Sequence, residues 1–133
     1  MAASPTFAAT PKSWAGTVPA TLDTSTTAPA NQTTIVTAGA SGTMINRIRI
    51  TILASITAAT QVNLFLYDGA TYHLYEQIVV SNRTVSSTTS EPSNLFEKSY
   101  TDLTIQSGWS LRATVTTAAG QSNFKVIAHG GDF

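Results

Sequence analysis

Cysteine is absent from this chain of 133 residues, and so are long apolar runs and an excess of charge of either sign. Without cysteine the chain has no disulfide framework, no thiolate nucleophile and no cysteine-ligated zinc or iron–sulfur centre. Seven basic and seven acidic residues balance to a formal charge of +0. This balance argues against nucleic-acid binding, because clustered lysine and arginine drive contacts to phosphate.

The first residues also lack the features of an export signal. A signal peptide needs a basic start followed by an apolar run, and the stretch Met1–Phe7 has neither. No later stretch approaches the roughly 18 consecutive apolar residues of a membrane span. We therefore expect a chain that is made in the cytoplasm without secretion and that has no membrane partner.

Charged residues of both signs are scarce, at 11% of the chain against roughly 25% in ordinary soluble domains. Threonine is the commonest residue, and its β-branched side chain favours a pleated sheet. Isolated β-proteins usually guard the edges of their sheets with lysine and other charges. The composition therefore predicts an all-β protein whose strands are covered by neighbouring subunits.

Proline is concentrated in the first part of the chain. Four of the five prolines precede Asn31, at Pro5, Pro11, Pro19 and Pro29. Because proline lacks a backbone donor, this segment can join neither a central strand nor a helix interior. We predict an extended N-terminal arm over residues 1–32, with Phe7 and Trp14 as apolar anchors on a partner; a solvated tail is the alternative.

From Thr33 onward, short β-patterned runs alternate with turn signals, and no segment has the periodicity of a helix. The predicted strands are Thr33–Thr37, Thr43–Ala54, Gln61–Tyr67, Tyr72–Val80, Thr84–Thr89, Leu95–Leu103, Trp109–Thr116 and Asn123–Ala128. Such regular spacing is typical of an antiparallel sandwich or jelly roll. We predict an all-β domain over residues 33–133: an antiparallel, jelly-roll-like β-sandwich of about 7–8 strands.

Three local features refine this prediction. Arg47 and Arg49 alternate with inward isoleucines, which predicts cross-strand pairing or a contact patch on the outer face of a sheet. The dipeptide Asp68-Gly69 predicts a hairpin with a tight primed turn. Glu76 shares a face with apolar residues of the return strand, so we expect it near a rim or a polar partner.

The residues that could carry chemistry do not form a recognisable site. His73 is expected to be an exposed sheet histidine, and the serines lack the Gly-x-Ser-x-Gly pattern of a nucleophile elbow. His129 and Asp132 supply two metal ligands, whereas a site needs three or four. We therefore predict no catalytic residues, no metal and no cofactor.

Aromatic residues gather around the predicted hairpin, at Phe65, Tyr67, Tyr72 and Tyr75. Aromatic side chains on a hairpin usually pack across strands or against a neighbouring subunit. The alternative is a platform for sugar rings, with Tyr67, Tyr72 and Tyr75 as the glycan contacts.

Four stretches of the chain form a pattern together: Ile48–Ile50, Val62–Gly69 with Tyr72–Tyr75, Ser107–Thr114 and Val126–Phe133. This pattern resembles small virion proteins of tailed bacteriophages, and above all their capsid decoration (cement) proteins. The resemblance covers roughly residues 43–133, and the arm matches only in general character. It does not distinguish a head decoration protein from a small tail or neck component.

The resemblance implies a jelly-roll-like sandwich, often trimeric, that is seated on the outer capsid and stabilises the shell. Its expected partners are the major capsid protein and further copies of itself, with a trimer favoured and no nucleic acid. The expected location is the capsid surface of the virion, and Arg47 and Arg49 are expected as polar contacts. The family has no catalytic residues to carry over. The alternative function is a carbohydrate- or receptor-binding β-sandwich module of the phage tail.

Overall fold

A computed structural model of the chain describes residues 10–18, 21–53, 55–56, 58–82, 95–116 and 124–133. Eight strands lie in these ranges: β1 Thr10–Thr17, β2 Thr33–Thr37, β3 Thr43–Ile52, β4 Thr60–Tyr67, β5 Tyr72–Val80, β6 Leu95–Ile105, β7 Ser110–Val115 and β8 Phe124–Asp132. The same ranges contain no helix, and hence none with the length and apolar character needed to cross a bilayer.

The strands form two four-stranded antiparallel sheets that pack face to face as a sandwich. Sheet I has the order β1-β8-β3-β6, and sheet II has the order β2-β7-β4-β5. The first strand pairs with the last, the second with the seventh, the third with the sixth and the fourth with the fifth. This nested pairing is the strand order of a jelly roll, and it confirms the predicted fold class.

The core lies between the two sheets and follows the alternation of the sequence. Side chains that the pattern placed on inward faces are almost completely buried, including Ile48, Ile50, Val62, Leu64, Leu111, Val115, Phe124 and Val126. Successive residues of a strand point to opposite faces of a sheet. The inward faces predicted for β3, β4, β7 and β8 are therefore confirmed.

The segment predicted to be an arm contributes a strand to this sandwich. Residues 10–17 form β1, which lies at the edge of sheet I and pairs with β8, with Pro11 opposite Gly131. A proline is compatible with this position because an edge strand leaves one side of its backbone unpaired. Trp14 is half-buried and packs against the core of its own chain. Phe7 and the predicted strand Thr84–Thr89 lie outside the described residues.

His129 and Asp132, the two residues near the C-terminus considered as metal ligands, instead contact β1. The carboxylate of Asp132 pairs with Lys12 on β1 and accepts a hydrogen bond from the hydroxyl of Thr43 on β3. The hydrogen bond from Lys12 is the main reason that the pKa of Asp132 is lowered. Next to this pair, the Ser13 hydroxyl lies 2.9 Å from Nδ1 of His129. These polar contacts attach the edge strand to the centre of sheet I.

Short turns gather at one end of the sandwich, over residues 38–42, 68–71 and 106–109, and we call it the short-turn end. The hairpin predicted at Asp68-Gly69 is present, and its tight turn is centred one residue later, on Gly69 and Ala70, because the Asp68 N–H group donates to the Thr71 carbonyl at 3.2 Å. A positive φ occurs at Gly69 (φ 100) but not at Asp68, which fits a primed turn with glycine at its first central position. The Asp68 carboxylate accepts hydrogen bonds from the backbone N–H groups of Ala70 and Thr71, at 2.9 and 2.7 Å. This side-chain capping stabilises the turn.

Stability should depend on the ionisation of Asp68. The N–H group of Thr71, followed by the side chain of His73 at 2.9 Å, lowers the pKa of Asp68 from 3.8 to about 2. A group with a lowered pKa in the folded state stabilises the protein above its unfolded pKa and loses this contribution as the pH falls through the folded value. We therefore expect the unfolding free energy to fall more steeply between pH 3.8 and about 2 in the wild type than in Asp68→Asn. Urea titrations across this range would measure it, and equal slopes would contradict the prediction.

Candidate functional site

The four edge strands of the sandwich differ in how well they are protected against pairing with another chain. The edge strand β1 carries Pro11 and Lys12, and β2 is five residues long. The edge strand β6 carries Glu97, Lys98 and Asp102. By contrast, β5 has nine residues with neither proline nor a basic residue other than histidine. Because lysine, proline and shortness are the usual protections of an edge, β5 is the least protected of the four.

The acidic residue of β5 does not act as a free charge. The carboxylate of Glu76 lies 3.0 Å from Nζ of Lys98 and accepts a hydrogen bond of 2.6 Å from the Tyr100 hydroxyl, both on β6. Burial is the main reason that the pKa of Tyr100 is raised. The polar partner predicted for Glu76 is thus confirmed. These contacts link β5, at the edge of sheet II, to β6, at the edge of sheet I. The charge of Glu76 is therefore paired within the chain and does not repel an incoming strand.

Exposed apolar side chains are concentrated on β5. Leu74, Tyr75 and Val79 are 38%, 39% and 58% exposed. Tyr75 lies at a register shift between β4 and β5, where a bulge twists an edge locally. The strand therefore exposes apolar surface on both sides of the bulge, and it has few charges that would disfavour contact with another protein.

A compact polar–aromatic cluster occupies the outer face of sheet II at the short-turn end. It consists of Tyr67, Tyr72, Leu74 and Arg112, and we call it the tyrosine–arginine patch. The Tyr67 and Tyr72 ring centres are 4.4 Å apart, and the Arg112 guanidinium lies 4.0 Å from the centre of the Tyr67 ring. Phe65 pairs across strands with both Arg112 and Leu74 and is completely buried.

The predicted glycan platform is divided by the fold. Tyr67 and Tyr72 lie together in the patch, whereas Tyr75 packs against Tyr100, with ring centres 5.8 Å apart. The Tyr67 hydroxyl donates to the Gly69 carbonyl at 3.0 Å, and the Tyr72 hydroxyl accepts from Arg112 at 3.1 Å. The three tyrosines therefore do not share one flat surface.

Arg112 is the charged residue of this patch, and the sequence did not place it beside the aromatic residues of the hairpin. It is on β7, far along the chain from the hairpin, and only the register between β4 and β7 places it opposite Phe65. The available signal was its outward position in the alternating run Trp109–Thr116. That signal shows which face the side chain points to, but not which neighbouring strand lies beside it.

The predicted basic pair on sheet I has a carboxylate partner. Glu97 accepts a hydrogen bond of 2.7 Å from Nε of Arg49 and lies 3.5 Å from Nη1 of Arg47. The bond from Arg49 is the main reason that the pKa of Glu97 is lowered. Cross-strand pairing, one of the two interpretations of these arginines, is confirmed by the register of Arg49 with Glu97.

A polar groove of about 380 Å³ on sheet I contains the pair formed by Ser13 and His129. An activated serine needs a base that is itself oriented by a third group. No hydrogen bond joins His129 to a carboxylate in the described part of the chain. The described residues also contain no group of three or more histidines and acids that could hold a metal ion.

The chain matches no protein-family model, no curated protein and no solved structure. The fold and its surfaces are therefore what indicates the function of the chain. Jelly rolls occur in viral capsid domains, in lectins and in cupins, so the fold by itself does not decide between assembly and ligand binding. The distribution of exposed apolar and charged groups is the more specific observation.

Proposed function

We propose that this chain is a non-enzymatic virion structural protein that decorates and stabilises a bacteriophage capsid by binding the lattice of the major capsid protein. The observation that carries this proposal is β5, the least protected of the four edge strands, with its exposed Leu74, Tyr75 and Val79. A sheet edge of this kind favours contact with other protein chains. The resemblance to decoration proteins gives that contact its biological setting.

The charge of the chain also suits a repeated assembly. A net charge of +0 makes contacts between copies less dependent on ion pairs, which salt screens. Many identical subunits on one lattice can hold by avidity even when each contact is weak. A decoration protein needs this kind of attachment, because many modest contacts together reinforce the shell.

Self-association provides the first test. We expect the wild-type protein to form an oligomer, with a trimer favoured. Val79→Lys should weaken self-association, because a lysine on an edge strand disfavours pairing with another chain. Thr101→Lys places the same charge on the exposed part of β6 and serves as the matched control. Sedimentation equilibrium should show a loss of oligomer for Val79→Lys alone. A wild-type monomer at about 1 mM, far above ordinary assembly affinities, would contradict the proposal.

Location on the particle provides the second test. A gold-labelled antibody against the chain is applied to tailed-phage particles from the source culture and viewed by electron microscopy. We expect the label to cover the head in a regular pattern. Label confined to the tail would support the alternative, a carbohydrate- or receptor-binding module, and particles without label would contradict both.

A further inference from the structure

The tyrosine–arginine patch contains a guanidinium that is held in one orientation before any partner arrives. Nε of Arg112 donates to the Ser110 hydroxyl at 3.0 Å, and Nη1 donates to the Tyr72 hydroxyl at 3.1 Å. Its central carbon lies over the Tyr67 ring. A side chain that is fixed in this way loses little conformational entropy on binding.

This guanidinium has no carboxylate partner among the described residues. Arg47 and Arg49 share Glu97, whereas both hydrogen-bond acceptors of Arg112 are neutral hydroxyl groups. A guanidinium has further N–H donors after two hydrogen bonds, and their planar arrangement matches the two oxygens of a carboxylate. The half-buried positive charge therefore remains available for an anionic group from outside.

The surroundings of Arg112 are those of a protein interface. Tyrosine and arginine are enriched among the residues that dominate binding energy, and such residues cluster above well-packed apolar groups. Here Phe65 provides the buried base, at 6.0 Å from the Tyr72 ring, and Leu74 adds exposed apolar area beside it. The patch also adjoins β5, the edge that carries the proposed function.

We infer that the tyrosine–arginine patch is a docking site for a partner protein that places an aspartate or glutamate carboxylate on Arg112. This inference rests on the proposed function and adds which face of the sandwich meets the lattice and which chemistry the partner presents. Charge complementarity supports a carboxylate, and the half-buried tyrosine rings support an apolar protein surface around it. Free sugar is the weaker fit, because both tyrosine hydroxyls already have partners inside the chain.

A direct probe of the site is sodium acetate, followed by nuclear magnetic resonance of the labelled full-length chain. Acetate should shift the Arg112 Nη–H signals, where the free donors lie, in a saturable way, and sodium chloride at the same ionic strength should not. A shift that does not saturate, or that is equal with chloride, would overturn the inference. Saturation with N-acetylneuraminic acid at a concentration more than about tenfold lower would also overturn it, because the occupant would then be an acidic sugar.

Retention on phage heads stripped of this chain gives the second readout. We expect Arg112→Gln to bind about 30-fold more weakly than the wild type, which corresponds to ~2 kcal/mol. Arg112→Lys should recover only part of the loss, because lysine keeps the charge without the planar fork. Lys125→Gln is the control, since it removes an equal charge from sheet I, where Lys125 contacts the Thr17 hydroxyl. Thermal melting must show that all variants are folded.

The two readouts distinguish failure of the inference from failure of the proposed function. If the wild type binds heads and folded Arg112→Gln binds equally well, the docking site is wrong while decoration stands. If acetate saturates Arg112 but the wild type does not bind heads, the carboxylate site stands and decoration is wrong. In that case the partner of the carboxylate site is not the capsid.

Discussion

Replacing Gly130 with alanine is expected to abolish folding or to cost more than about 4 kcal/mol of unfolding free energy, an unusually large effect for a single methyl group. A Cβ atom at this position would lie 1.9 Å from the Met44 carbonyl oxygen and 3.0 Å from Cα of Ile45. These are backbone atoms of the adjacent strand β3, so no side-chain rearrangement relieves the overlap. The change would separate β8 from β3 in the centre of sheet I.

The close approach has an identifiable cause. Gly130 pairs with Ile45, next to a register shift between Ile45 and Arg47. A bulge of this kind inserts an extra residue into one strand, which bends that strand and increases its twist. Only a residue without a side chain fits opposite the bend. Urea titration followed by circular dichroism would measure the loss, together with the yield of soluble protein.

Gly69→Ala is the matched control for this variant. Gly69 has a φ of 100° in the hairpin turn, but an added Cβ would meet no atom within 4 Å. Its expected cost is the backbone strain of a left-handed alanine, about 1–2 kcal/mol. A Gly130→Ala protein that is no less stable than Gly69→Ala would show that β3 and β8 are not as close as the structure places them.

Replacing Phe65 with alanine should cost about 3–5 kcal/mol, the usual range for deletion of a buried phenylalanine ring. Phe65 is completely buried although it lies on the outer face of sheet II. Its ring meets Tyr72 edge to face at 6.0 Å and an interplanar angle of 85°. The variant should therefore lose stability and also loosen the tyrosine–arginine patch above it.

Tyr75→Ala tests the specificity of this prediction. Tyr75 belongs to the same aromatic group in the sequence, but it is 39% exposed at the bulge of β5. We expect a smaller loss than for Phe65→Ala, because the partly exposed Tyr75 ring leaves no enclosed cavity when it is removed. Thermal and chemical unfolding of the two variants would give the comparison, and equal losses would contradict the burial of Phe65.

The strand content followed closely from local patterns. The bounds predicted for Thr33–Thr37 and Tyr72–Val80 are those of β2 and β5. Alternation has a period of two residues in a regular strand, so most segments define their own faces. In β5 the bulge breaks this rule, because Leu74 pairs with Phe65 on the outer face of sheet II while Glu76 pairs with Leu64 on the inner face. The sequence did not predict a strand over residues 10–17, because Pro11 prevents a strand from pairing with neighbours on both sides. An edge strand pairs on one side only, so it can contain a proline.

The sequence predicted the residues of the candidate sites less well than it predicted the strands. Arg49 and Glu97 are far apart in the chain, as are Lys12 and Asp132, and each pair forms only through strand register. Tyr67 and Tyr75 are close in the chain, yet the fold separates their surroundings. Sequence proximity is therefore a poor guide to which aromatic side chains share a surface in a sheet.

The sequence by itself determined the all-β class, the positions of the strands that the structure describes after Thr33 and the scarcity of protective charge, because composition and alternation act locally. Only the tertiary structure decided that β5 is the exposed edge, that Arg112 lies on Tyr67 and that Gly130 must be glycine. These features depend on which strands become neighbours and in which register. Register is set by the packing of the whole core between the two sheets, and no single segment carries that information.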